Sequence, residues 1–246
     1  MTMGILDKIF ARRRPPSPEL KTEIRMPYES VLVPGEEAVA ACLNLRKEGL
    51  GQFTPVILGD PNRLTMLIEG FKAQSMSPQE TIGRANEISI DSFIEHRISQ
   101  DEELYRNVEV GAWPETALPS IELTGHMDIV TRSPLKTVAI CKVPTPNSWE
   151  VPAYFSFGNW NECPAPEEHV ALLRYWNEKF GVELITLTND VLECTVAAPP
   201  TENDAALKLA RQQFIYCSDI VYQGTETLSA LGAALKNGTT WYFWWD

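Results

Sequence analysis

The side chains best suited to chemistry in this chain gather in one stretch, Gly158-Asn159-Trp160-Asn161-Glu162-Cys163-Pro164, followed closely by His169. A cysteine with a histidine invites a thiolate–imidazole reading, in which the imidazole takes the thiol proton and the sulfur attacks. That chemistry needs hydrogen-bond reach. On one helix, six residues at about 100° each leave Cys163 and His169 roughly 120° apart around the axis and ~9 Å apart along it. The spacing therefore predicts that the two do not pair, and it assigns His169 to the surface or to a capping role.

The same stretch offers binding chemistry. Asn159 and Asn161 bring amide donors and acceptors, Trp160 a flat stacking surface, and Glu162 a charge. The structural alternative is that the asparagines tie the loop to its own backbone and Trp160 packs onto the core. Asp219 is a further candidate, since it follows a predicted helix over residues 202–217 and precedes the apolar pair Ile220-Val221. A helix-exit turn explains it equally well. Asp190 and Glu193 complete a set of carboxylates, but Asp190 reads as a turn residue and Glu193 as a solvent-facing strand residue beside Cys194.

Other chemistries leave no trace. Neither GxxxxGK[ST] nor GxGxxG occurs, so the usual phosphate-cradling signatures are missing. GxSxG is absent, and His96, His126 and His169 are the only histidines available as bases. The five cysteines, Cys42, Cys141, Cys163, Cys194 and Cys217, form no CxxC pair, so neither a zinc site nor a cofactor is expected. With no secretion signal in view, they read as reduced, buried thiols.

At 246 residues and 44% apolar composition the chain has material for a sizeable core. No apolar run approaches the roughly 20 residues that span a bilayer. Net charge is −12, unevenly placed. Residues 1–14 hold four basic side chains against Asp7, a balance of +3, so the remainder carries −15. Such an acidic body repels a phosphate backbone, which argues against nucleic acid as a partner. Residues 1–18 read as a flexible basic tail that ends in a proline-rich linker. Its apolar face and arginines give it the chemistry of a weak membrane-surface contact, with a frayed terminus as the alternative.

The elements that must position the loop follow from pattern. Residues 36–48 predict a helix closed by Gly49. Residues 54–58 read as a buried strand, and Asp60-Pro61 opens a helix with Leu64, Leu67, Ile68 and Phe71 as its stripe. A further helix is expected near 91–105. Residues 110–134 lose periodicity and read as a boundary or a long crossing loop. Residues 137–143 and 151–157 then read as strands. Pro164 and Pro166 open a helix whose apolar face is Val170, Leu173, Trp176 and Phe180, with Gly181 at its end. Asn189-Asp190 joins two strands in a hairpin. Thr201 and Asp204 suggest a capping box, Leu228, Leu231 and Leu235 another helix, and 239–245 a strand with aromatics on both faces. On this reading the 158–164 loop sits between a strand's carboxyl end and a helix N-terminus, where open α/β sheets bind ligands.

Gly158-Asn159-Trp160-Asn161-Glu162-Cys163-Pro164, the helix Val170-Ala171-Leu172-Leu173-Arg174-Tyr175-Trp176 and the ending Trp241-Tyr242-Phe243-Trp244-Trp245-Asp246 resemble the bacterial family of domain of unknown function 4253. Asp219-Ile220-Val221 and Gln223-Gly224-Thr225 are similar to it too, over about residues 150–246, and Pro55-Val56-Ile57-Leu58-Gly59 gives a fainter echo. The resemblance implies a bacterial, mostly cytoplasmic setting and brings no catalytic residues.

The expected fold is α/β, with α+β as the alternative. It comprises a mixed, partly antiparallel sheet flanked by helices, with the Trp-rich C-terminal strand central. The parts are residues 20–110 and 120–246, packed as separate domains or as one unit. The expected function is non-catalytic binding of another protein, in an accessory or immunity-like role in the cytoplasm. The alternative is a small-molecule enzyme or sensor that uses Asn159, Trp160, Asn161, Glu162 and Asp219.

Overall fold

Six apolar runs meet in one mixed sheet. The computed structural model describes residues 26–116 and 121–246, so the basic segment 1–18 and the membrane contact expected of it lie outside the described residues. The strands are β1 (Ser30–Val33), β2 (Thr54–Gly59), β5 (Val138–Val143), β6 (Val182–Leu187), β7 (Val191–Val196) and β8 (Thr240–Trp244), while β3 (Met127–Asp128) and β4 (Ser133–Pro134) form a separate small hairpin. The order is β1-β5-β2-β6-β7-β8, with β2 and β6 parallel and the other neighbours antiparallel. Strand β5 thus inserts between two strands of the first part and joins both parts in one sheet. Among the described residues, no helix is long and apolar enough to cross a membrane.

The helices are α1 (Ala38–Glu48), α2 (Thr65–Lys72), α3 (Pro78–Ala85), α4 (Ile90–Gln100), α5 (Glu102–Arg106), α6 (Val151–Phe155), α7 (Pro166–Phe180), α8 (Asn203–Tyr216) and α9 (Leu228–Leu235). Pattern and structure agree where the chemistry of the ends is strong. Gly181 closes α7 in the left-handed region at φ 61°. Asp60, by contrast, accepts from the Asn62 N–H to cap a 3₁₀ turn, Pro61–Arg63, and α2 begins beyond it at Thr65 without a side-chain cap from its N-cap residue Leu64. The helix expected near 91–105 is two, broken at Asp101, whose side chain caps the second by accepting from the Leu104 N–H. The capping box expected at Thr201 does not form, because Glu202 holds the N-cap position of α8 without a side-chain bond.

Two corrections bear on the site. Residues 151–155 form helix α6, not a strand, with Ser156 ending it in the left-handed region at φ 49°. The 158–164 loop therefore joins two helices and does not leave the sheet's carboxyl edge. The second concerns β8, which lies at the sheet's margin and not at its centre. Its aromatics are nonetheless buried on both faces, with Trp241, Phe243 and Trp245 on one and Tyr242 and Trp244 on the other. Helices α7 and α8 cover the first face through Trp176, Phe180 and Tyr216, while Ile121 and the α9 residue Ala234 join Tyr242 and Trp244 on the second.

The sheet's first face carries the main core, in which Leu192, Cys194 and Val196 of β7 share a side as their alternation requires. Its second face is covered by α1 over Ile57 and Ile140, and by the segment from residue 121 onward over Val191, Tyr242 and Trp244. That cover corrects another expectation. Glu193 is not solvent-facing but 0% exposed, accepting from the Thr124 N–H at 2.6 Å, the Thr124 hydroxyl at 2.7 Å and the Gly125 N–H at 3.1 Å.

Candidate functional site

Between α6 and α7 the backbone reverses sharply. Ser156, Gly158, Asn159 and Asn161 all adopt positive φ, at 49°, 118°, 67° and 46°. Asparagine is the side-chain-bearing residue that best tolerates this region, so Asn159 and Asn161 are explained first by conformation. Two internal bonds close the loop, from the Asn159 N–H to the Pro164 carbonyl at 3.1 Å and from the Cys163 N–H to the Trp160 carbonyl at 2.8 Å. Cys163 consequently belongs to the loop, and α7 begins only at Pro166.

This reversal overturns the helical estimate for Cys163 and His169. Their Sγ and Nε2 lie 3.4 Å apart, in contact beneath the loop. His169 is not a surface residue but 0% exposed, ringed by Phe157, Tyr216 and Trp245 at centroid separations of 5.0, 5.3 and 5.4 Å. Its Nδ1 faces the Tyr216 hydroxyl at 2.5 Å.

Cysteine, base and orienting group thus have the arrangement of a nucleophilic triad, but their protonation opposes that role. Burial pushes the Cys163 thiol far up, with the neighbouring Cys217 adding to the effect and Arg97 opposing it. Burial, and secondarily the charge of Arg97, push His169 down to about 3. Burial likewise raises Tyr216 well above its ordinary value. A neutral Tyr216 must donate its proton, and His169 Nδ1 is its hydrogen-bond partner. Nε2 then carries the imidazole proton and directs it at the Pro164 carbonyl and the Cys163 sulfur. In this tautomer His169 has no lone pair left to take the thiol proton.

The loop is fastened on two further sides. Arg97, 7% exposed on α4, donates to the Tyr105 hydroxyl at 2.7 Å, to the Glu162 carbonyl at 2.8 Å and to the Glu162 carboxylate at 3.1 Å. Asp219 accepts from the Gln223 amide at 2.7 Å and from the Asp246 N–H at 3.1 Å, and the Asn161 amide donates to the Asp246 carbonyl. Asp219 lies at the entrance of a π-helical turn, Ile220–Thr225, whose ladder runs from the Glu226 N–H to the Val221 carbonyl. Trp160 sits half-buried, edge-on to Phe157 at 4.9 Å. Asn159, Asn161 and Glu162 are exposed.

The structure therefore brings all five predicted residues to one surface, with Asp219 tied to the loop through Asp246. Reasoning from sequence missed Arg97 and Tyr216 and placed His169 at the surface or in a cap. Arg97 carried a readable signal, a lone basic residue amid the helical stripe Phe93, Ile94 and Ile98.

Residues 139–246 match the model of one family, Domain of unknown function (DUF4253). The resemblance read from the loop, the α7 helix and the Trp-rich ending holds over that segment, and the fainter echo at residues 55–59 lies outside it. No curated protein and no solved structure matches the chain. The DUF4253 segment begins inside β5 and contains the loop, Cys163, His169, Tyr216, Asp219 and Asp246. Two of its restraints come from outside the matched segment: Arg97, which clamps Glu162, and Thr124 with Gly125, which enclose Glu193.

Proposed function

We propose that residues 158–164, backed by Asp219 and Asp246, form a non-catalytic recognition surface for another protein. One observation carries this reading. The nucleophile and base pair, Cys163 and His169, is buried, neutral and hydrogen-bonded together, and the Glu162 carboxylate is held by Arg97, whereas the outward groups Asn159, Trp160 and Asn161 can bind and stack. A loop fastened at Arg97, His169 and Asp219 also presents its side chains at little cost in ordering. The net charge of −12 favours a partner with a basic face. All five cysteines are free thiols, which suits a reducing, cytoplasmic setting, and the family resemblance suggests a bacterial one.

The competing reading, a small-molecule enzyme or sensor built on the same loop, requires Cys163 to be reachable and ionised. Affinity capture with tagged wild-type chain and with the double variant Trp160→Ala/Asn161→Ala separates the two. The expected result is a partner held by the wild type and lost by a variant that melts normally. Equal capture by both proteins would sink the proposal. Rapid alkylation of native Cys163 near neutral pH would favour the enzyme.

A further inference from the structure

We propose that a cleft on the second face of the sheet, remote from the loop, is a binding site for a small, uncharged, largely apolar molecule. The segment from residue 121 crosses this face over β7 and β8, then leaves it to form the β3–β4 hairpin. Where it departs, a cleft of about 530 Å³ remains beside Thr240. Sites for small organic ligands run from about 300 to 1,000 Å³.

The walls are held open from several directions. Glu193 anchors Thr124 and Gly125 with three hydrogen bonds. Gly125 lies so close to β6 that a Cβ there would stand 2.2 Å from the Thr186 methyl. The hairpin turn is braced by Asp128, which accepts from the N–H groups of Val130 at 3.0 Å and Thr131 at 2.8 Å. Its base is closed by the Leu135 N–H bonding the His126 carbonyl at 2.9 Å. A site set by backbone bonds need not be ordered when a ligand enters, so little affinity is lost to that step.

The lining selects the ligand class. Ile121, Leu123, Met127 and Ile129 supply an apolar wall, with Thr124, Thr240 and His126 as its uncharged polar points. Burial lowers the His126 pKa, which favours the neutral imidazole, and its Nδ1 is buried without a hydrogen-bond partner among the described residues. Glu122, Asp128 and Arg132 also line it, but Glu122 and Arg132 are exposed to water and Asp128 is engaged by the Val130 and Thr131 N–H groups. The one fully buried carboxylate nearby, Glu193, is already engaged by Thr124 and Gly125. A charged ligand would therefore lose its hydration without gaining a buried counter-charge, which disfavours it.

Titration of the full chain with the uncharged fluorophore N-phenyl-1-naphthylamine tests the proposal. A saturable rise in fluorescence with one site per chain is expected. Met127→Glu and Ile129→Glu should each weaken it at least ten-fold, while Trp160→Ala leaves it unchanged and so separates this cleft from the loop. Both substitutions lie in the small hairpin, outside the buried clusters, and thermal melts check that each variant folds. The ¹³C-methyl resonance of Met127 in the wild-type chain provides a readout that needs no variant, and it should shift on addition of the probe. A non-saturable signal, an unmoved Met127 resonance, or wild-type affinity in the folded variants would each overturn the assignment.

Discussion

His169 Nδ1 and the Tyr216 hydroxyl lie 2.5 Å apart across 47 residues of sequence, joining α7 to α8 directly beneath the candidate loop. The bond fixes the imidazole's tautomer, and the tautomer decides that Cys163 receives a hydrogen bond and does not give up a proton. The same side chains that resemble a catalytic triad in outline thus act as a neutral, buried fastener. Their titration is the simplest way to see it.

On the acid side, the unfolded chain protonates this imidazole near pH 6.5, whereas the folded protein resists until about 3. The unfolded state therefore binds the extra proton first. Stability is complete above pH 6.5 and is lost as pH falls toward 3, by about 1.4 kcal/mol per unit from this one group. Urea unfolding at several acidic pH values should show the slope, and His169→Gln should be less stable at neutral pH but flatter below it. Parallel pH profiles for the two proteins would contradict the assignment.

On the alkaline side the thiols dominate. Burial raises Cys42 and Cys141 to about 11, and it raises Cys163, Cys194 and Cys217 well above the ordinary thiol value too. Above an ordinary thiol value of 9.0 the unfolded chain releases these protons while the folded one keeps them, so stability falls as pH rises past that point. Intact-mass analysis after iodoacetamide treatment at mildly alkaline pH should find the native protein unmodified and the denatured protein carrying five adducts. A native adduct on Cys163 would reopen the nucleophile reading.

Trp241 is fully buried, 5.6 Å from Trp176 and 5.7 Å from Phe180. Trp241→Ala should destabilise the protein by about 3–5 kcal/mol, read from the urea midpoint. An unchanged midpoint would show that β8 contributes little to the core despite its burial.

Glu193→Gln isolates the crossing segment's anchor. The carboxylate accepts at both oxygens, so the amide's NH₂ must face one donor, leaving a buried N–H or O–H without an acceptor. A loss of about 1–3 kcal/mol is expected, together with faster hydrogen exchange at the Thr124 and Gly125 amides. Unaltered exchange there would mean that the segment is held by its apolar contacts alone.

Much of this architecture was legible because its signals are local. The buried strand β2, the hairpin at Asn189-Asp190 and helix α7 ending at Gly181 each carry an apolar period and punctuation within a few residues. The errors arose where a distant segment decides the outcome. Glu193 alternates like a solvent-facing residue, and its cover is a stretch 69 residues earlier with almost no periodicity. Aromatics on both faces of β8 do signal cover on both faces, but helices and the crossing segment above and below the sheet supply that cover, and it does not distinguish a marginal strand from a central one. The run at 151–157 is apolar and too short for a period to separate helix from strand. Its misreading moved the loop to the wrong edge of the sheet, and the pairing of Cys163 with His169 was missed because the turn between α6 and α7 brings them together outside any helix.

Gly158 offers the sharpest test of whether that turn holds the site. Its φ of 118° lies where side-chain-bearing residues rarely go, and a Cβ there would stand 2.0 Å from the Pro164 carbonyl oxygen and 3.1 Å from the His169 ring. That oxygen already accepts from the Asn159 N–H, so it cannot move without opening the loop. The backbone strain alone is worth about 1–3 kcal/mol, and relief requires the loop to lift from His169. Gly158→Ala should therefore retain the sheet, seen as near-native far-ultraviolet circular dichroism, while its melting temperature drops and Cys163 becomes open to iodoacetamide. Asn159→Ala, at a position with φ 67° but an exposed side chain, should cost less and leave Cys163 protected. If Gly158→Ala melted like the wild type with Cys163 still unreactive, the loop would not be fastened through Pro164 and His169, and the recognition surface would lose its rigid support.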